Sequence, residues 1–140
     1  MTANPTRQDL FDAAIAIRKQ VLGDAYVDRA FAVDDEFNAD MQQYLTVHAW
    51  GASWARRTPE GEPALPFKTR SMLNLAMISA LNRPHELEIH VRGAINNGVS
   101  KREMLEIFLQ VAVYCGAPAM MDAIRIARKV WAEHEARAAG

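Results

Sequence analysis

The chain has 140 residues, half of them hydrophobic and 24% charged, with a net charge of −1 and a single cysteine. That length suits one domain with its own core, and the near-neutral charge offers no basic field for nucleic acid. A lone cysteine excludes an internal disulfide and a zinc site built on paired thiolates, and no run approaches the ~20 apolar residues of a membrane span.

The opening MTANPTRQDLFDAA lacks the basic-then-apolar order of a secretory signal, so a cytoplasmic protein is expected. From Thr6, the positions Leu10, Ala13, Ala14, Ile17 and Val21 recur at helical spacing, and Gly23 can close that helix. Asp24 to Ala32 is ambiguous between loop and a short helix carrying Tyr26 and Val27. The next helix is predicted from Asp34 or Asp35, acids suited to a first turn, with Phe37, Met41, Leu45 and His48 along it. Ala49 to Trp54 continues or ends it. Arg56 to Pro66 holds three prolines and a glycine and reads as the one long loop.

Helix returns from Phe67 to Leu81. Pro84 suits the first turn of the following helix, where its missing N–H costs nothing. Leu87, Val91, Ala94 and Ile95 form that helix's apolar stripe, and Gly98 fits just past its end. Ser100 and Glu103 frame a capping box that opens a helix apolar nearly all round from Met104 to Cys115. Such a helix belongs in a core, and Gln110 and Tyr114 would then be polar groups in need of buried partners. Gly116-Ala117-Pro118 breaks it and starts the last helix, to about Ala136. No strand pattern or repeat stands out, so the expectation is an all-α single domain, residues 1–140, of about six helices.

His90 follows Glu86 by four residues, so the two share a helix face, and a carboxylate beside an imidazole suits acid–base work near neutral pH. The same spacing describes a solvated surface pair, which periodicity alone favours. His48 fits a core position equally well; His85 and His134 sit among charges. Glu103 is explained by its cap. Arg70 and Arg92 are candidate carboxylate receptors through their planar forks. Trp50 and Trp54 fit a core or an interface more readily than a ligand platform. HxxxH, HExxH and glycine-rich phosphate loops are absent, so neither metal nor cofactor is expected. Cys115, in an apolar setting, is expected to be buried and inert.

The stretches RSMLNLA (70–76), EIHVRGAINNGVS (88–100), Glu103 and LQVAVYCGAP (109–118) resemble the carboxymuconolactone decarboxylase family. Arg18 to Gly23, Asp28-Arg29-Ala30 and Tyr44 to Trp54 resemble its 4-carboxymuconolactone decarboxylase branch, and the likeness spans roughly residues 15–134. It implies an all-α, alkylhydroperoxidase D-like fold in a ring-like oligomer, usually a hexamer, with the site near subunit contacts. The alkylhydroperoxidase D branch uses a Cys-x-x-Cys pair, an upstream Glu and a downstream His. Here Glu103 and Cys115 fit, but Pro118 replaces the second cysteine and Asp122 the histidine, so a dithiol cycle cannot close. The loop Thr58–Pro66 looks longer than the branch implies, which bears on substrate.

The resemblance implies cofactor-free decarboxylation of 4-carboxymuconolactone or a related lactone, in aromatic-compound catabolism (the protocatechuate/β-ketoadipate pathway). The lactone carbonyl takes up the electron pair that CO₂ leaves behind. The implied roles are carboxylate binding by Arg70, ahead of Arg92; oxyanion stabilisation by Gln110 or Tyr114, with Trp50 as a further substrate-binding residue; and proton delivery by His90 with Glu86 or Glu103 as partner. The alternatives are a family member with another small-acid substrate and a non-catalytic helical assembly protein.

Overall fold

Seven α-helices and one π-helix make up the computed structural model, which describes residues 4–140. No strand forms among the described residues; the one ladder contact is an isolated bridge between Arg57 and Pro63. The all-α expectation is met. The chain divides into two compact units, Met1–Phe67 and Lys68–Gly140.

In the first unit, α1 (Arg7–Leu22) begins at a capping box: the Thr6 hydroxyl accepts the Asp9 N–H, and the Asp9 carboxylate accepts the Thr6 N–H. Gly23 ends it at a φ of 91°, a left-handed value open to glycine. The ambiguous stretch is helical, as α2 (Asp24–Phe31). The next helix, α3 (Asn38–Leu45), begins later than Asp34 or Asp35. The reason is local. The Asp35 carboxylate accepts the Phe37 N–H at 2.8 Å, a turn that competes with helix, and the buried Asn38 amide donates to the carbonyls of Ala30 and Val33.

Directly after α3 the backbone widens into a π-helix, Thr46–Trp54. Its wider ring closes where the Ala55 N–H donates to the Trp50 carbonyl at 2.7 Å. α1 packs along this segment. Gly51 permits the approach, since a Cβ there would stand 2.6 Å from the Leu10 carbonyl oxygen. Ala14, Ile17 and Val21 of α1 form a core with Trp50 and Trp54, against which Phe67 packs. The Trp50 and Trp54 rings lie 4.8 Å apart. His48 is exposed and leans on Tyr44, so it is not a core histidine. Residues 56–66 form the expected loop.

The second unit holds α4 (Phe67–Ala80, its first residue at the division), α5 (Pro84–Asn96), α6 (Lys101–Cys115) and α7 (Ala117–Ala138). Pro84 sits in the first turn of α5, and Ser100 and Glu103 form the capping box of α6. α5 and α6 both pack on α7 around Leu75, Leu87, Val91, Ala94, Met104, Phe108, Ala123 and Val130. Full burial of a side chain such as Phe108 contributes about 1.5–3 kcal/mol.

One expectation fails here. In the single chain α6 buries one face only, through Met104, Phe108 and Val111. Val113 and Tyr114 are 78% and 80% exposed, and Gln110 and Cys115 also face solvent. The apolar run overstates burial because no described element of its own unit covers its second face.

Candidate functional site

His90 lies on α5, half-buried, and its Nδ1 stands 3.4 Å from the Asn74 side-chain nitrogen on α4. Burial pushes the imidazole below its ordinary pKa of 6.5, and the Glu86 carboxylate one turn away opposes this more weakly. Neutral imidazole is therefore favoured near pH 7. The plain surface pair is not what forms: Glu86 is exposed, whereas His90 is not.

Arg70 is half-buried one turn before Asn74 on the same side of α4. Arg92 is differently employed. Its guanidinium donates to Glu88 Oε1 at 3.0 Å and to the Glu133 carboxylate, while Glu88 also pairs with Lys129 at 3.0 Å. Lys129 and Arg92 hold the Glu88 carboxyl below its usual range. This ties α5 to α7 and leaves Arg92 a structural ion pair.

Glu103 likewise has both oxygens committed. One accepts from Lys68 at 2.8 Å and the other from the Ser100 N–H at 2.9 Å, and these bonds keep it ionised. The carboxylate acting on His90 is Glu86. Gln110 and Tyr114 do come together, along an apolar groove of about 420 Å³ between α4 and α6 that Thr69, Met72, Ala76 and Cys115 also line. Trp50 is buried in the other unit's core and packs there.

Sequence reasoning passed over Asn74, although it lies inside the 70–76 stretch and follows Arg70 by four residues. Arg18 was also passed over as a buried group: it is 4% exposed and donates to Thr46 Oγ1 at 2.9 Å and Gln42 Oε1 at 2.8 Å. No group of three or more His, Cys, Asp or Glu side chains comes together to hold a metal among the described residues. Among the described residues, no helix is long and apolar enough to cross a membrane.

The sequence profile of the carboxymuconolactone decarboxylase family matches residues 39–129, well over half the chain. The chain belongs to that family. It is 36% identical over 121 residues to the 4-carboxymuconolactone decarboxylase of Acinetobacter baylyi, covering 86% of each protein. It is 40% identical over 128 residues to the nitrosuccinic acid decarboxylase npaB of Metarhizium robertsii, covering 91% of this chain and 85% of that one. Membership together with the likeness to two decarboxylases makes the chain a carboxy-lyase of this family, as its resemblance implied.

Proposed function

We propose that the protein removes CO₂, without a cofactor, from 4-carboxymuconolactone or a closely related small di-acid, in aromatic-compound catabolism. The match along most of the chain to two decarboxylases of small acids carries this reading. The chemistry their names describe is shared. Each acid carries an oxygen acceptor, a lactone carbonyl or a nitro group, that can take up the electron pair left by CO₂. The nitrosuccinate relative favours a second reading, in which the acceptor is a nitro group.

His90 is the group assigned to the reacting atoms, with Arg70 as carboxylate receptor and Gln110 and Tyr114 as further polar contacts. The half-buried setting of His90 beside Asn74 supports the first choice. Within the chain Arg92 pairs with Glu88 and Glu133, and Glu103 with Lys68. We also propose a homo-oligomer, a hexamer by family likeness; the exposed Leu109, Val113, Tyr114 and Met121 support it.

The test is direct. The protein is incubated with the carboxylated lactone and, separately, with nitrosuccinate, and ultraviolet absorbance and CO₂ release are followed. Turnover of the lactone supports the first reading and turnover of nitrosuccinate alone the second. Release from neither removes both. Light scattering that returns the mass of one chain at micromolar concentration removes the oligomer.

A further inference from the structure

A histidine that serves a decarboxylation can do so as an acid or as a neutral hydrogen-bond donor, and the surroundings decide which. The Asn74 side-chain nitrogen faces His90 Nδ1 at 3.4 Å. An amide nitrogen can only donate. It therefore satisfies Nδ1 as a lone-pair acceptor and opposes a proton there. With Nδ1 unprotonated, the ring's single N–H lies at Nε2. The Glu86 carboxylate, on the same helix, acts on His90, and the charged Arg70 stands one turn before Asn74 on α4. From α7, Glu133 and Lys129 engage Arg92 and Glu88, which occupy another side of α5.

We infer that Asn74 is a positioning residue that holds His90 as the neutral Nε2–H tautomer, and that His90 works by donating this N–H to the oxygen on which charge develops. This rests on the reading of His90 given above. In the step itself, the bond from carbon to the leaving carboxylate breaks and CO₂ departs. The electron pair moves through the conjugated system onto the acceptor oxygen, where the Nε2–H bond stabilises it without transfer. The carbon then takes a proton from water, so one proton is consumed per CO₂ released. The 3.4 Å contact is long for a hydrogen bond, as such contacts often are before substrate arrives.

The experiment is nitrogen-15 NMR of histidine-labelled protein without substrate, with the His90→Gln variant used to assign the signal. The expected result is a neutral His90 with its proton on Nε2. Asn74→Asp, which offers Nδ1 an acceptor, should shift the proton to Nδ1, raise the titration midpoint and lower kcat at least about tenfold with KM little changed. Asn74→Leu should leave the two tautomers mixed. A proton on Nδ1 in the unaltered protein overturns the inference, even if neither variant folds. An unchanged tautomer in folded Asn74→Asp does so as well. Wild-type turnover in His90→Gln would instead defeat the site reading while leaving the tautomer measurement intact.

Discussion

Arg18 donates to Thr46 Oγ1 across 2.9 Å, joining α1 to the first residue of the π-helix, and no carboxylate among the described residues pairs with it. Gln42 supplies a second neutral acceptor, Phe31 lies under the guanidinium at 5.4 Å, and Nε has no hydrogen-bond partner. Burial accordingly lowers the arginine's hold on its proton, though it stays charged. Thr46→Val should destabilise by about 1–3 kcal/mol, because it strands a buried N–H. Arg18→Met with Thr46→Val should cost less than the two singles added, by at least about 0.5 kcal/mol. Urea unfolding of the three variants checks this, and additive costs would refute the coupling.

Gly51 is predicted to resist even alanine. Its Cβ would meet Leu10 backbone at 2.6 Å, and backbone cannot swing aside as a side chain does. Gly51→Ala should cost about 1–3 kcal/mol as overpacking. Gly98→Ala, in open space but at a φ of 84°, should cost about 1 kcal/mol through strain alone. Thermal melts that rank them the other way would contradict the packing argument.

The pH dependence of stability follows from His90. Its folded pKa lies below the ordinary 6.5, so the unfolded chain binds the proton more readily. The stabilisation is present above that value and is lost as pH falls through the folded pKa. Glu88, held below its ordinary 4.5, acts the same way in a lower window. Unfolding free energy should therefore begin to fall below about pH 6.5, and His90→Gln should flatten that upper part of the profile while leaving the carboxylate part. An unchanged upper slope in the variant would count against a buried His90.

Turnover separates the polar candidates. His90→Gln should lower kcat at least about a hundredfold with helices and assembly retained. Arg70→Ala should mainly raise KM, because a carboxylate contact acts in ground and transition states alike. Arg92→Ala should weaken folding and leave turnover per folded molecule nearly intact, since its contacts are Glu88 and Glu133. If Arg92→Ala raises KM and Arg70→Ala does not, the receptor assignment is reversed.

Cys115→Ser should keep the decarboxylase activity, and no dithiol-dependent peroxidase turnover should be measurable, because Pro118 stands where a second thiol is required. In the single chain the thiol is exposed, contrary to the expectation of burial. Loss of activity in folded Cys115→Ser would restore a thiol mechanism.

The helices of the second unit were legible because their ends carry strong local chemistry: Pro84, Gly98, the Ser100–Glu103 box and Gly116 each act within a few residues. The start of α3 was not, since it depends on Asn38 reaching the carbonyls of Ala30 and Val33. The π-helix left no periodic trace in nine residues. Among site residues, the Glu86–His90 spacing was readable. Arg92 looks like a free ligand until Glu133, 41 positions away, arrives through packing, and the cap that explains Glu103 does not reveal its second partner, Lys68. Asn74 was overlooked because an asparagine amid Leu73 and Leu75 carries no charge pattern, and only the partner helix gives it meaning.

A π-helix is an α-helix with surplus residues, so Thr46–Trp54 is sensitive to chain length in a way that substitution cannot imitate. Removing a single residue there would change the winding from π towards α within the segment and so change the faces that its side chains present. The notch at Gly51 that faces Leu10 and the approach of Trp54 to Phe67 at 5.7 Å both depend on that winding. An insertion or deletion in these nine positions should therefore be far rarer among related chains than in residues 56–66, whatever their sequence identity.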